Sequence, residues 1–334
     1  MYALARPLLF RMEAERAHRL TLSGLNAAHR LGLLSLLPAV PAQPPVQLMG
    51  LTFPNRIGLA AGLDKNAVCV DAMGALGFGF VEVGTLTPKP QPGNPPPRVF
   101  RLPRAGAIIN RMGFPNDGVE PAVVRLAARR FAGVCGVNIG KNAATPLERA
   151  MEDYVAALHV VYGVADYVTI NISSPNTQGL RSLQGSEQLR PLLSGLLQAR
   201  SQLVAATGRR VPLVVKLSPD LSEEELAVTA QVITELAIDG VIATNTTLDR
   251  GGVQGLAYAD RPGGLSGEPL RERSVGVVGR LRKLLGPSMP LIGVGGISSA
   301  AHAAAMLDAG ADLVQVYTGL VYRGPALVRE LLRV

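Results

Sequence analysis

The sequence predicts an α/β chain folded as a (β/α)8 TIM barrel with a short N-terminal helical extension. Three observations carry this reading. From residue 50 the chain alternates short apolar runs with helix-like stretches. The runs number eight, at 57–61, 80–84, 133–139, 167–171, 213–217, 240–244, 291–294 and 313–317. Each is predominantly apolar rather than alternating, as strands covered on both faces should be. Eight strand–helix units over about 280 residues suit a closed barrel, whose functional residues sit on the loops after the strands. Helix-like stretches fall between the runs, among them 119–131, 146–162, 223–236, 272–285 and 300–309. A doubly wound open sheet would need a Gly-rich dinucleotide turn after its first strand. The turn there reads Ala61-Gly62-Leu63-Asp64-Lys65, which is not one.

Composition sets the bounds. The 334 residues carry 33 Lys and Arg against 25 Asp and Glu, a net charge of +8, and 48% are hydrophobic. That length buries a sizeable core, and 17% charged residues exclude a disordered chain. Two cysteines, Cys69 and Cys135, are too few for a disulfide framework or a Cys-built metal site. No Trp and only 4% aromatics weaken any reading that needs stacking platforms for single-stranded nucleic acid. The basic balance fits two partners, nucleic acid or an anionic membrane surface. No segment offers the about 20 apolar residues that span a bilayer. Residues 31–40 form the richest early apolar run, and Pro41-Ala42-Gln43 faintly imitates a signal-peptidase site. Glu13, Glu15 and His18 make a poor signal n-region, so no cleaved signal and no export are expected.

Residues 1–45 differ from the rest and are read as a unit apart from the barrel domain of 46–334. They hold five arginines against two glutamates. Pro7 suits the first turn of a short helix with Leu8, Leu9 and Met12 on one side. A second helix over 17–37 places Leu22, Leu25 and Ala28 three apart, until Pro38, Pro41, Pro44 and Pro45 stop it. Such an appendage is either a helical cap on the barrel or a patch lying in a membrane interface.

Three connections exceed plain barrel loops: 88–115, with a hairpin over 98–102 and 107–110; 173–185, polar; and 245–267, Gly-rich. All three follow strands, on the face where loops build sites. After the seventh run, Gly293-Val294-Gly295-Gly296-Ile297-Ser298 precedes a helix, and the eighth run ends in Tyr317-Thr318-Gly319. Glycines beside a helix start let backbone N–H groups hold a phosphate, of a substrate or of a flavin mononucleotide. Other strand ends supply Lys65, Thr85, Asn138 and Lys141, Asn171, Lys216, and Thr244-Asn245-Thr246. This donor-rich, carboxylate-poor set suits an anionic ligand and a flavin ring better than a metal. The histidines (His18, His29, His159, His302) fall on helical segments, so no metal site and no His-centred triad are expected.

Five ordered motifs then resemble those of the class 2, quinone-dependent dihydroorotate dehydrogenases. They are Ala61-Gly62-Leu63-Asp64-Lys65, Asn110-Arg111-Met112-Gly113-Phe114, Asn171-Ile172-Ser173-Ser174-Pro175-Asn176-Thr177, Ala243-Thr244-Asn245-Thr246-Thr247 and Gly263-Gly264-Leu265-Ser266-Gly267. The likeness runs over nearly the whole chain. The N-terminal extension and a serine at 174, where class 1 enzymes carry cysteine, mark it as class 2.

The resemblance implies oxidation of dihydroorotate to orotate in pyrimidine biosynthesis, with one FMN per chain and electrons passed to a membrane quinone. It implies FMN contacts from Ala61, Gly62, Leu63, Asp64, Lys65, Thr85, Asn138, Asn171, Lys216, Thr244, Gly267, Gly296, Tyr317 and Thr318. Substrate contacts fall to Lys65, Asn110, Arg111, Met112, Gly113, Phe114, Asn171, Asn176, Asn245 and Thr246. Ser174 becomes the base for the C5 proton, Thr177 its relay hydroxyl, Phe114 a wall, and the stretch to Gly185 a lid. His18, Arg101 and Tyr317 resemble quinone-site residues, though His18 alone reads as a surface helix histidine. The expected setting is peripheral, on the cytoplasmic side of a bacterial inner membrane, since no Arg- and Ser-rich transit peptide is seen. Two other readings are weighed. Dihydrouridine synthases are FMN barrels that bind tRNA, but they use a cysteine acid and an added RNA-binding domain. A catalytically dead membrane scaffold would not keep the full donor set.

Overall fold

The computed structural model describes residues 2–38, 41 and 43–334. The end of the apolar run 31–40 and the alanine of Pro41-Ala42-Gln43 lie outside the described residues. In chain order, helices α1 (Tyr2–Arg11) and α2 (Ala14–Arg30) precede a hairpin, β1 (Val46–Leu48) and β2 (Leu51–Phe53). There follow β3 (Ile57–Leu59), α3 (Val70–Ala75), β4 (Phe80–Leu86), β5 (Val99–Leu102), β6 (Ala107–Asn110), α4 (Val119–Ala127) and β7 (Val134–Ile139). The chain goes on through α5 (Ala150–Val161), β8 (Tyr167–Asn171), α6 (Ser186–Thr207), β9 (Leu213–Leu217), α7 (Glu223–Glu235) and β10 (Gly240–Ala243). It ends with β11 (Gly264–Gly267), α8 (Arg271–Leu285), β12 (Leu291–Val294), α9 (Ala300–Asp308), β13 (Leu313–Val316), α10 (Thr318–Arg323) and α11 (Pro325–Leu331).

Strands β3, β4, β7, β8, β9, β10, β12 and β13 pair in parallel and close into a barrel, with Val314 beside Ile57 at the seam. These are the eight apolar runs of the sequence. Their outward residues form one large core with the helices, in which Leu59, Val81, Val137, Ile170 and Val215 are fully buried. Inside the barrel a second cluster stacks Phe80, Tyr167, Val214, Ile242 and Leu313, and Phe53 from the β1–β2 hairpin joins it. The rings of Phe53 and Phe80 meet edge to face at 5.3 Å. The hairpin thus packs on the interior, so function is left to the carboxyl ends of the strands. There a third sheet, β5, β6 and β11, stands over the mouth.

Local signals set the helix ends. The Glu13 carboxylate accepts from Glu15 N and Arg16 N, each at 2.8 Å, and starts α2. Ser222 and Glu225 form a reciprocal capping box on α7. Two expectations for the N-terminal segment need correction. Pro7 lies inside α1 rather than at its start. The helix begins at Tyr2 because that end docks on α10: Tyr2 OH donates to Val321 O, and Arg6 donates to Tyr322 O at 3.1 Å. Docking outweighs the hydrogen bond that proline cannot donate. The helix expected over 17–37 runs instead from Ala14 to Arg30, because Gly32 (φ 70°) turns the chain into a short 3-10 turn, Leu33–Leu36.

Candidate active site

The loops after the strands surround a cavity whose wall gathers most of the donors read from the sequence. Ala61, Gly62 and Lys65 line it from the turn after β3, and Thr85 from β4. Asn171 ends β8, Lys216 lies in β9, and Thr244, Asn245 and Thr246 follow β10. Gly267, Gly296, Tyr317 and Thr318 close the side facing the last two strands. Asn110, Met112, Gly113 and Phe114 enter from the end of β6, and Ser174 and Asn176 from the loop after β8.

Some expected residues stand behind that wall. The Asp64 carboxylate accepts from Val68 N (2.9 Å) and Cys69 N (2.7 Å), which shapes the turn carrying Lys65. Asn138 is fully buried; its carbonyl oxygen accepts from the Thr85 hydroxyl at 2.6 Å. Arg111 turns away and donates to Pro97 O at 2.9 Å. Lys141 likewise turns away, to Asn142 O and Thr145 O. Leu63 faces a different cavity. Thr177 is buried, and its hydroxyl has no partner among the described residues.

Electrostatics within the wall follow from burial. The Lys65 ammonium donates to Gly62 O at 2.6 Å, and desolvation brings its pKa down to about 8. Lys216 is also pushed below the ordinary lysine range by burial, while Glu82, 3.8 Å away, opposes that shift. Ser174 is 5% exposed, and its Oγ accepts from Asn176 N at 3.2 Å. One guanidinium fastens the loop that carries it: Arg181 donates to Ser173 O (3.1 Å), Thr246 O (2.8 Å) and Asp220 (2.8 Å). At Gly296 (φ 74°) a Cβ would stand 2.7 Å from the amide nitrogen of Arg271, so only glycine lets the loop after β12 sit there.

A second cavity, of about 530 Å³, lies between the N-terminal helices and the barrel. Leu9, Phe10, Leu22 and Leu25 line one side and Leu63, Met73 and Leu320 the other. His18 lines it too and is partly buried: burial above all, then Lys65 and Arg19, pushes its pKa down to about 3, so the ring is neutral at pH 7. Arg101 holds the cavity's roof by donating to Leu9 O (3.0 Å) and Met12 O, with its guanidinium 4.8 Å over the Phe10 ring. Arg98 and Glu15 add an ion pair at 2.9 Å, about nine-tenths shielded on both sides. Four residues, Lys65, Asn110, Met112 and Tyr317, line both cavities and form the partition between them. The Tyr317 hydroxyl is pushed up to about 12 by burial and stays protonated.

A family model described as dihydroorotate dehydrogenase matches residues 45–333. A relative named dihydroorotate dehydrogenase (quinone) from Azotobacter vinelandii is 57% identical over 330 residues, covering 99% of this chain and 95% of its own length. The chain belongs to the quinone-dependent, class 2 dihydroorotate dehydrogenases. It is therefore a flavin-dependent oxidoreductase of that family. A Pseudomonas aeruginosa protein of the same name is 54% identical over 99% of this chain and 96% of its own. Among solved structures, ligand-free DHODH from Eimeria tenella matches with a TM-score of 0.86 at 38% identity, over 96% of this chain and 93% of that one. The same organism's DHODH in complex with ferulenol gives 0.82 at 38%, over 92% and 89%.

For this dehydrogenase the sequence reading did not single out Ser266 and Gln315, which line the wall, or Arg181 and Glu82, which brace it. Ser266 lies on β11, a strand hidden by its glycines, and shares a 2.8 Å hydrogen bond with Thr318. Arg181 gave no signal, since its three partners lie on three separate segments. Glu82 and Gln315 did carry one: each is a polar residue inside an apolar strand, fully buried.

Proposed function

We propose that the chain oxidises dihydroorotate to orotate, using FMN held in the strand-end cavity and a membrane quinone admitted to the apolar one. The observation that carries this is the pair of cavities, polar and apolar, that meet at Lys65, Asn110, Met112 and Tyr317. Two buried atoms on the polar cavity's wall, Thr246 Oγ1 and Gln315 Oε1, have no partner among the described residues. They fit a ligand with its own donors and acceptors, as a flavin with substrate against it has. Ala61, Gly62, Lys65, Thr85, Asn171, Lys216, Thr244, Gly267, Gly296, Tyr317 and Thr318 would hold FMN, with Leu63, Asp64 and Asn138 supporting them from behind. When bound, FMN would supply the two-electron acceptor for the hydride from substrate C6 and the link by which those electrons pass on to the quinone.

The rest falls to side chains. Lys65, Asn110, Asn171, Asn176, Asn245 and Thr246 are donors for the substrate carboxylate and ring carbonyls, with Met112, Gly113 and Phe114 walling the site and Arg111 bracing that segment. Ser174 takes the C5 proton. Its hydroxyl is a weak base, so the closed loop must exclude water and a second hydroxyl must lead the proton away. Thr177, buried and with no partner for its hydroxyl among the described residues, is suited to that relay. His18, Arg101 and Tyr317 line the quinone entrance. Around it the segment exposes Leu4, Leu8, Leu20, Leu31, Leu33 and Leu36, each at least half bare, among five arginines. Such a face suits peripheral attachment to an anionic membrane, here on the cytoplasmic side, with no nucleic acid as partner. Among the described residues no helix is long and apolar enough to cross a membrane. An anaerobic absorbance spectrum tests the reading: the purified protein should show a flavin that dihydroorotate bleaches, with orotate as product.

Two further outcomes follow. A Lys whose folded pKa lies near 8, below the ordinary 10.5, is protonated at neutral pH and loses its charge as pH rises through 8. If Lys65 holds the substrate carboxylate, orotate affinity should be flat from pH 6 to 7.5 and about tenfold weaker by pH 9, followed through the flavin spectrum. A constant affinity across that window removes Lys65 from the contact. Cys69 and Cys135 are buried, which pushes both thiols up to about 12. Replacing both with alanine should leave flavin reduction nearly unchanged. Loss of the chemical step with FMN retained would instead point to a cysteine acid or base.

A further inference from the structure

Glu82 lies within the barrel wall on β4, fully buried, and lines neither of the two cavities described above. Its Oε1 accepts from Asn138 Nδ2 at 2.8 Å and lies 3.8 Å from the Lys216 ammonium. Its Oε2 accepts from Tyr167 OH (2.9 Å), Thr169 Oγ1 (3.2 Å) and Gln315 Nε2 (2.9 Å). Four neighbours therefore point donors at it, and a cation stands beside it. An ionised carboxylate accepts hydrogen bonds and donates none.

That constraint travels outward along two arms. With its NH2 turned to Glu82, Asn138 shows its carbonyl to Thr85, whose hydroxyl must donate to it at 2.6 Å. Thr85 Oγ1 is then left to accept from Asn171 Nδ2 at 2.9 Å. Asn171 Oδ1 in turn faces Ser173 Oγ (3.2 Å) and Asn245 Nδ2 (3.3 Å), one residue from Ser174. On the other arm Gln315 gives its NH2 to Glu82, so its Oε1, which has no partner among the described residues, is the atom turned away from the carboxylate beside the cavity.

We propose that Glu82 is the positioning residue that sets the donor–acceptor direction of the whole site, through the Asn138–Thr85–Asn171 chain on one side and Gln315 on the other. It fixes which atoms face the flavin and substrate without touching either. This rests on the flavin reading given above.

Glutamine at 82 has the same shape but one donor end. If its NH2 faces Asn138, that amide must flip and the Thr85–Asn171 chain reverses. If its NH2 faces Gln315, that amide flips and offers the cavity a donor in place of an acceptor. Either way one arm is wrong. Glu82→Gln combined with Asn138→Asp moves the carboxylate one place along the chain. The glutamine then donates to the new carboxylate at position 138 and accepts from Gln315, and both arms regain their direction.

The test uses holoenzyme and measures FMN and orotate affinity by fluorescence and absorbance titration. Glu82→Gln should weaken one or both by roughly tenfold or more, the scale of a buried polar group set against its own kind. The double variant should recover most of that loss, which a merely structural role for Glu82 does not explain. A single variant indistinguishable from wild type, or a double variant no better than the single, overturns the proposal. Should Glu82→Gln not fold, neutron diffraction from wild-type holoenzyme crystals decides: deuterated amide nitrogens of Asn138 and Gln315 facing Glu82 support it, and a flipped amide against a protonated carboxyl overturns it. Bleaching of wild-type flavin by dihydroorotate is scored separately, so failure of the functional reading is not confused with failure of this one.

Discussion

Ser174→Ala is expected to yield a folded chain that holds FMN and binds orotate but whose flavin is bleached by dihydroorotate far more slowly. The drop should reach at least the ~10²–10⁴-fold typical of losing a general base, roughly 3–5 kcal/mol of barrier. The structure makes this a clean deletion, because the Ser174 hydroxyl accepts one hydrogen bond, from Asn176 N at 3.2 Å, within its own loop. Ser174→Cys should recover part of the rate, more so at high pH, since a thiol ionises near pH 8.5 and a serine hydroxyl does not. Thr177→Val should slow reduction less, because water can replace a relay but not a positioned base. Near-normal reduction in Ser174→Ala would falsify the assignment and send the search to another base in the loop after β8.

Deleting residues 1–45 should abolish quinone-linked turnover while dihydroorotate still bleaches the bound flavin at close to the full rate. The deletion removes Leu9, Phe10, His18, Leu22 and Leu25, which form one side of the apolar cavity, together with the exposed leucines proposed to meet the membrane. It leaves the whole lining of the strand-end cavity in place, since none of the described residues before Ala60 contributes to that lining. Stopped-flow bleaching and quinone reduction read the two halves separately. Full-rate quinone reduction by the truncated chain would show that electrons leave by another route. In the intact chain His18 should contribute no titration to quinone turnover between pH 5 and 8, because its ring is already neutral there.

What could be read from the sequence, and what could not, divides along physical lines. The eight barrel strands were legible because burial on both faces leaves predominantly apolar runs without strict alternation, and their polar ends stood out against them. Strand β11 was not, because glycines depress strand propensity and Gly264–Gly267 owes its pairing to β6 beside it. The β1–β2 hairpin, with three residues to a strand, was too short to show a period. Pro7 misled because a local rule about helix starts knows nothing of α10, on which α1 rests. Most of the candidate site was visible as residue types at strand ends. Direction was not: that Asp64, Asn138 and Arg111 brace the wall instead of lining it depends on which way each side chain turns. Glu82 was visible as an acid in an apolar strand, but its partners lie on β7, β8, β9 and β13 and only closure of the barrel gathers them.

Arg181 gives the site a clock as well as a shape. Its three anchors are the residue before Ser174, the residue after Asn245 and a carboxylate on the loop after β9. The Ser173 contact lies within the loop itself, so an outward swing to admit or release a ligand would have to break the two anchors on Thr246 and Asp220, and it would part Ser173 from Asn245, whose side chains meet at 3.0 Å. With Ser174 as the proposed base and this loop as the proposed lid, opening and reactivity would exclude each other mechanically. A half-open loop would let water in only when the proposed base is out of register, so traffic and chemistry must alternate in time, and the slower of the two sets the pace.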